Sequence, residues 1–230
     1  MVDVLFAPPN RKPTGTVVLV DVFRSSSTIV TALANGATCV IPFTHVSEAI
    51  KRSRKIGRSR CVLVGERNGV TPPGFDYNIS PMDMSKENVN GKTILYSSTN
   101  LTRVLSRLRG GGETIVAGLV NAEATARYLA SSKRGVSIIA CGVPRGIAVE
   151  DLAGAGAIAA FLPKEVLSDG ALFAAGFYKN PNWRSFVKRG RIATRLIGLG
   201  FARDVDYCLS PNISSAVPAL RGERIVNLNQ

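Results

Sequence analysis

The sequence predicts a three-layer α/β/α fold with a parallel-rich sheet, and three features of the pattern lead to this prediction. Apolar runs such as Val17–Val20, which leads to Asp21-Val22, are continuous rather than alternating, which is typical of strands buried on both faces of a parallel sheet. Segments with helical periodicity follow these runs. The order of these elements also occurs twice along the chain, which indicates two related half-repeats.

The first half is predicted to cover residues 15–66. Its leading strand ends at Asp21, and a cluster of hydroxyl residues then opens a helix that stops at Asn35–Gly36. The cluster consists of Ser25, Ser26, Ser27 and Thr28. Two further strand-like runs begin at Cys39 and Cys61, and a helix start lies between them.

The second half, residues 91–142, repeats this order. A strand reaching Tyr96 is followed by a polar cluster and by a helix over 101–108. This second cluster consists of Ser97, Ser98, Thr99 and Asn100. Further strands are predicted at Thr114–Ala117 and Val136–Ala140.

The remaining segments complete a predicted single domain of residues 1–230. The connecting loop 67–90 is rich in Gly, Pro, Asn and Asp and is longer than an ordinary connection, so we expect it to carry function or to pack as a lid. The part from 149 to 209 is predicted to be mostly helical, and its Ala/Gly-rich first helix is a candidate surface for a homodimer. Ile225–Val226 is predicted to form an edge strand.

Composition excludes several classes of protein. With 230 residues and 45% apolar residue types, the chain can bury a sizeable core. No apolar run reaches the roughly 18–20 residues that cross a bilayer, and the start of the sequence lacks a signal-peptide pattern. The four cysteines form no Cys-x-x-Cys pair, so neither a disulfide framework nor a zinc site is predicted. We therefore expect a cytoplasmic protein that has no membrane association.

The formal net charge of +13 indicates attraction to anions. Basic residues are concentrated in two segments, 51–60 and 188–195. The second segment contains Lys188, Arg189, Arg191 and Arg195. No aromatic residues interleave with these charges, so we interpret both segments as solvated helix faces, and nucleic acid is not the expected partner.

The carboxyl ends of the predicted strands are where a ligand should bind, because ligands collect at that edge of an open parallel sheet. The two polar clusters follow strand ends, and helix N-termini offer unpaired N–H groups to anions. The predicted phosphate-binding residues are Ser25, Ser26, Ser27, Thr28, Ser98, Thr99 and Asn100, joined by Arg67. Simple helix capping is the alternative interpretation, although it requires only one hydroxyl per helix.

Carboxylates are predicted at the same edge, and several of them beside a phosphate imply a hard cation such as Mg²⁺. The predicted metal ligands are Asp21, Glu66, Asp76 and Glu150, and the predicted catalytic residues are Asp21, Arg24, Glu66 and Asp151. Arginine forks suit phosphate, carboxylate and sulfonate groups, with Arg145 as a weaker third candidate after Arg24 and Arg67. The alternative is that Asp21 and Asp151 only balance helix dipoles and that Glu66 is a surface residue.

The ordered motifs resemble those of the 2-phosphosulfolactate phosphatase (ComB) family. Segment 21–37 is similar to the opening motif of that family. The later similar blocks are Gly65-Glu66-Arg67, Gly74-Phe75-Asp76, Ser80-Pro81, Gly91-Lys92, Ser98-Thr99-Asn100, Asn121-Ala122, Cys141-Gly142, Glu150-Asp151 and Asp206-Tyr207-Cys208-Leu209. The resemblance implies a magnesium-dependent phosphatase that converts 2-phospho-3-sulfolactate to 3-sulfolactate and phosphate in coenzyme M biosynthesis.

Three positions depart from the family pattern. Leu101 stands where a glycine is usual and is expected to narrow the pocket, and Asn78-Ile79 replaces a usual Gly-Asn. Two alternatives therefore stay open beside the implied activity. The chain could be a phosphatase acting on another small acidic phosphoester, or a non-catalytic relative that binds small anions or nucleic acid.

Overall fold

The structure, a computed structural model, describes residues 1–108, 110, 112–132, 134–142 and 146–229. Arg145 lies outside these residues. The strands are β1 Val2–Leu5, β2 Thr16–Val20, β3 Cys39–Pro42, β4 Cys61–Gly65, β5 Thr93–Ser97, β6 Thr114–Ala117, β7 Val136–Ala140, β8 Pro218–Arg221 and β9 Arg224–Asn227. The helices are α1 Ser25–Ala34, α2 Val46–Ile56, α3 Lys86–Val89, α4 Leu101–Leu108, α5 Ala122–Ala130, α6 Val149–Ala160, α7 Asp169–Lys179, α8 Trp183–Lys188, α9 Arg191–Gly198 and α10 Ala202–Cys208.

Within these residues the strands form one mixed sheet in the order β1-β7-β2-β6-β8-β9-β3-β5-β4. Its first arm, β1-β7-β2-β6, is parallel throughout, and so is its second arm, β3-β5-β4. The antiparallel hairpin β8–β9 lies between the two arms. The predicted α/β/α fold with a parallel-rich sheet is therefore confirmed.

The predicted edge strand at Ile225–Val226 is wrong in its position. These residues belong to β9, which pairs with β8 on one side and contacts β3 on the other. Ile225 is fully buried. The hairpin occupies the interior of the sheet because it joins β6 to β3, which have no direct pairing with each other.

Each arm contains the first strand of one predicted half and the later strands of the other half. β2 lies between β7 and β6, while β5 lies between β3 and β4. The two stretches of sequence are thus interlocked. The turns after β2 and β5 consequently occupy corresponding central positions, one in each arm.

Helices cover both faces of the sheet and generate three main apolar clusters. One face of each arm contributes to a shared cluster, which packs around α1 and α4. The opposite face of the first arm packs against α5, α6 and α7, and that of the second arm packs beside α2. Continuous β-branched runs are explained by this burial on both faces.

The Ala/Gly-rich helix α6 is buried inside the chain, so its predicted use as a homodimer surface is wrong. Its residues from Glu150 to Ala159 are all buried. A Cβ at Gly156 would come within 2.0 Å of the Ala174 carbonyl oxygen, which shows how closely α7 approaches. Small residues here serve helix packing within one protomer. Among the described residues, no helix combines the length and apolar character that crossing a membrane requires.

Candidate active site

A cavity of about 140 Å³ lies where the two arms present their carboxyl ends. The turn after β2 contributes Asp21, Arg24 and Ser25, and the turn after β5 contributes Thr99 and Asn100. The remaining lining residues are Phe23, Glu66, Asn68, Gly69, Ile79, Gly142, Glu150, Ile192, Arg195, Leu196 and Leu199. The two polar turns therefore meet at a single cavity that also receives three carboxylates.

Asp21 follows the last residue of β2 and is 3% exposed. Burial raises the pKa of this carboxyl from 3.8 to about 7, an effect that the nearby Ser25 opposes and that Glu150 and Glu66 increase. The Asp21 amide donates to the Ser26 hydroxyl at 2.9 Å, which fixes the turn. Asp21 is thus a buried acid whose ionised form needs a nearby positive charge.

The hydroxyl cluster of the first turn mostly stabilises the helix start, contrary to its predicted role as a phosphate cradle. Ser27 donates to the Val22 carbonyl at 3.1 Å, and Thr28 contacts the carbonyls of Arg24 and Ile79 at 2.9 Å. Ser26 is fully buried and holds the Asp21 amide. These three hydroxyls bind backbone groups, and Ser25 alone of the four lines the cavity.

The second turn is different because two of its buried hydroxyls lack protein partners. Ser98 Oγ, Thr99 Oγ1 and Tyr96 Oη have no hydrogen bond among the described residues. Of these three residues only Thr99 lines the cavity, so Ser98 is not placed for its predicted contact with phosphate. The Asn100 side chain donates to the Gly142 carbonyl at 2.5 Å and so ties this turn to the end of β7. Unsatisfied buried hydroxyls are costly, which makes this turn a candidate for contact with a ligand or water.

Glu66 connects the second turn to the loop that follows β4. Its Oε1 accepts from the Thr99 amide at 2.7 Å, and its Oε2 accepts from the Gly69 amide at 2.9 Å. The side chain is 7% exposed and lines the cavity. Because a carboxylate oxygen has two lone-pair sites, Glu66 can hold these amides and still face a cation.

Glu150 and Asp151 open α6, but only Glu150 lines the cavity. Burial raises the pKa of Glu150, while Arg191 lowers it. Asp151 Oδ1 accepts from the Val22 amide at 2.8 Å, and burial with the charges of Glu150 and Asp21 raises its pKa well above 3.8. Asp151 Oδ2 has no hydrogen-bond partner among the described residues. Asp151 therefore holds the first turn in position through the Val22 amide and does not itself line the cavity.

Arg24 contributes a wall of the cavity, but its guanidinium group is bound within the protein. Nη1 forms an ion pair with Asp204 at 2.5 Å, and Nη2 donates to Asn78 Oδ1 at 2.6 Å. The Phe201 ring lies 3.9 Å from the guanidinium carbon. The fork predicted to bind phosphate is thus occupied by a carboxylate from α10, which sequence spacing could not reveal.

Arg67 and Asp76 point away from the cavity, which corrects their predicted roles. Arg67 donates to the carbonyls of Glu66 and Thr44 and to the Ser97 hydroxyl. Asp76 pairs with Arg58 and accepts from the Leu63 amide at 2.8 Å. Leu63 lies in the interior of β4, so Asp76 lies beside the strand rather than at its carboxyl end.

Arg195 is a cavity residue that the sequence pattern did not identify. It belongs to α9, within a basic segment interpreted as a solvated helix face. The signal was nevertheless present, because Ile192, Leu196 and Leu199 recur at helical spacing on the same face as Arg195. Asn68 and Gly69 are further unpredicted lining residues, from the loop that Glu66 holds.

The three departures from the family pattern have different structural consequences. Leu101 begins α4, is fully buried in the core and is absent from the cavity lining, so it does not narrow the pocket as expected. Asn78 binds Arg24 and, through its amide, the Gly69 carbonyl. Ile79 alone of the three lines the cavity.

The residues that face the cavity are suited to magnesium. Asp21, Glu66 and Glu150 supply only oxygen donors, and the mutual repulsion that contributes to the raised pKa of Asp21 would be relieved by a divalent cation. Among the described residues, no group of three or more acidic, His or Cys side chains forms a ready-made metal cluster. Mg²⁺ usually takes only one or two carboxylates together with substrate phosphate and water, so this donor set fits it.

Comparison with known proteins gives one consistent result. The family described as 2-phosphosulpholactate phosphatase matches residues 6–223. A probable 2-phosphosulfolactate phosphatase of Thermotoga petrophila is 40% identical over 96% of this chain and 95% of its own length. Proteins of the same name from Carboxydothermus hydrogenoformans and Clostridium botulinum are 38% and 32% identical, over 94% and 92% of this chain and 92% and 91% of their own lengths. The chain therefore belongs to the 2-phosphosulpholactate phosphatase family, a family of phosphoric monoester hydrolases.

Proposed function

We propose that this protein is a magnesium-dependent phosphatase that hydrolyses 2-phospho-3-sulfolactate to 3-sulfolactate and phosphate. The observation that carries this proposal is the meeting of Asp21, Glu66 and Glu150 at one cavity between two helix starts, in a chain of this family. We further propose that the protein works in the cytoplasm as part of coenzyme M biosynthesis.

Bound Mg²⁺ would neutralise charge on the phosphoryl oxygens and orient the phosphoester. Asp21 and Glu150 would hold this ion, with Glu66 as a third oxygen donor that also fixes the second turn through Thr99. The hydroxyls of Ser25 and Thr99 lie at the cavity and would donate to phosphate oxygens. Asp151 keeps the first turn in place through the Val22 amide.

Phosphate release from 2-phospho-3-sulfolactate tests this function directly. We expect release with MgCl₂ present and its loss after chelation by EDTA, with recovery when Mg²⁺ is added back. Activity that is insensitive to chelation would contradict the metal part of the proposal. Absence of phosphate release under all metal conditions would contradict the proposed substrate.

A second candidate, a phosphatase for another small acidic phosphoester, is supported by Ile79. This apolar side chain lines the cavity at a position where the family pattern has a polar residue. The substrate group that reaches it would then be less polar than a sulfonate. A phosphate-release screen over small phosphorylated acids separates the two candidates, because higher kcat/KM for an acid lacking sulfonate would favour the second.

A non-catalytic role on nucleic acid is the least supported alternative. Part of the basic charge of the segment 51–60 is already paired within the chain, since Arg52 binds Glu223 and Arg58 binds Asp76. Nucleic-acid affinity that falls steeply with salt, together with no phosphate release, would favour this role. We also keep a homodimer as a proposal that sedimentation can test, without assigning its surface.

A further inference from the structure

Helix α9 lines one side of the cavity and contacts the loop that follows Glu66. Ile192 and Leu196 of this helix, and Leu199 directly after it, line the cavity beside Arg195. A Cβ at Gly69 would meet Leu199 Cδ1 at 3.1 Å, so helix and loop are closely packed here. Arg195 Nη2 donates to the Asn68 carbonyl at 2.9 Å, which holds the arginine at the edge of the cavity.

Arg195 differs from Arg24, the other cation that lines the cavity, in how its charge is paired. Three carboxylates face the cavity, and the positive charge of Arg24 is balanced by Asp204. Among the described residues that line the cavity, Arg195 is the cation without an acidic partner. Its contact with a neutral carbonyl uses one N–H group, and the other donors of the fork have no protein partner among the described residues.

Two neighbouring arginines cannot take this role. Arg67 uses its guanidinium group on the carbonyls of Glu66 and Thr44 and on the Ser97 hydroxyl, outside the cavity. Arg191 lies one turn before Arg195 but does not line the cavity, and its charge lowers the pKa of Glu150. Among the described residues of α9, Arg195 is the only arginine that lines the cavity and can present its guanidinium group to a bound anion.

We propose that Arg195 is a specificity-determining residue that binds a second acidic group, carboxylate or sulfonate, on the substrate whose phosphate is held at Asp21 and Glu150. This inference rests on the proposed phosphatase function. The phosphate end of such a substrate meets carboxylates and therefore requires a cation. The acidic end needs a positively charged subsite of its own, and an arginine fork matches the geometry of carboxylate or sulfonate oxygens.

The test compares Arg195→Gln with Arg189→Gln on two substrates in MgCl₂. Arg189 is a matched control because it belongs to the same basic segment, stacks near Phe186 and does not line the cavity. With 2-phospho-3-sulfolactate, Arg195→Gln should raise KM by about 10- to 100-fold, as expected for a lost charge-assisted hydrogen bond. With p-nitrophenyl phosphate, which lacks a second acidic group, KM should stay within about twofold.

Arg195→Lys extends the test, because it keeps the charge and removes the fork. We expect it to recover part of the affinity for phosphosulfolactate. Equal losses on both substrates would overturn the proposal in favour of a general phosphate-binding role. An unchanged KM for phosphosulfolactate would overturn it outright, and thermal melts of all variants verify that each one is folded.

A failure of the proposed function can be recognised separately. If the wild-type protein releases no phosphate, binding of 3-sulfolactate, which has two acidic groups and no phosphate, is measured by calorimetry for wild type and Arg195→Gln. Weaker binding by about 10-fold or more in the variant would support the role of Arg195 by itself. Equal binding, or binding by neither protein, would refute it.

Discussion

The two turns that meet at the cavity occupy corresponding places in the fold but have different surroundings. Each follows an inner strand of its parallel arm, β2 between β7 and β6, and β5 between β3 and β4. The first turn carries Asp21, whose pKa is raised to about 7 by burial, and its neighbouring hydroxyls bind backbone carbonyls. The second turn carries no charge and leaves the hydroxyls of Ser98 and Thr99 without partners.

The two turns therefore have different roles. The first supplies the acidic group, and the second presents a hydroxyl to a ligand. The first turn holds the acid and surrounds it with a rigid framework, including the buried Arg24–Asp204 pair. The second turn is held through its backbone by Glu66 and through the Asn100 side chain, so the hydroxyl of the cavity-lining Thr99 remains available to a ligand. Two Ser/Thr clusters that look alike in sequence thus have opposite uses for their side chains.

The largest expected effect comes from removing the charge of the first turn. Asp21→Asn should lower kcat/KM for phosphate release by at least about 1,000-fold, because the variant loses an anionic ligand at the cavity. Asp76→Asn is the control, since Asp76 lies outside the cavity and pairs with Arg58. It should keep activity within about threefold. Substantial activity in Asp21→Asn would remove the first turn from the chemistry.

Arg24 should affect stability more than substrate binding. Arg24→Gln leaves Asp204 buried with the Ser80 hydroxyl as its remaining partner, so we expect the free energy of unfolding to fall by about 3–5 kcal/mol. Arg58→Gln breaks an exposed pair and should cost at most about 1 kcal/mol. Urea denaturation measures both. An Arg24→Gln protein that is as stable as wild type but inactive would assign Arg24 to the substrate instead.

Thr99 and Ser27 allow a direct comparison of the two turns. Thr99→Val removes an unpartnered hydroxyl from a residue that lines the cavity, so stability should hold while kcat/KM falls by about 3- to 10-fold. Ser27→Ala removes a bond to the Val22 carbonyl, so stability should fall by about 1 kcal/mol with little change in kcat/KM. Melting curves and phosphate release on both variants decide this. The reverse pattern would contradict our assignment of the two turns.

The smallest expected effect is a pH-dependent change in stability. The folded-state pKa of Asp21 is raised from 3.8 to about 7, so its contribution to stability is full below pH 3.8 and is lost as pH rises through about 7. The Asp21→Asn variant does not lose stability in this way, because its side chain does not ionise. Without divalent cations, its advantage over wild type should grow between pH 4 and pH 8 to at least about 1 kcal/mol, or roughly 2–4 °C in Tm. An advantage that stays constant between pH 4 and pH 8 would contradict this assignment of Asp21.

Local sequence patterns were enough to predict the class of fold and the edge of the sheet at which the cavity lies. Continuous apolar strands, hydroxyl-capped helix starts and Asn35–Gly36 as a helix stop all act over a few residues, so they can be recognised without tertiary contacts. The positions of Asp21, Glu66 and Glu150 at the cavity follow from the same rule, because strand ends and helix starts meet there.

Long-range packing decided the rest. Arg24 is bound by Asp204, 180 residues further along the chain, and the short apolar run at Ile225 became an interior strand by pairing between the two arms. Arg195 reached the cavity because α9 packs over the loop after Glu66. Local sequence was sufficient to specify which residues form strands, caps and acidic strand ends, since these depend on near neighbours. Only the tertiary structure determined which cation meets which anion, because those pairings depend on distances between segments that no local pattern encodes.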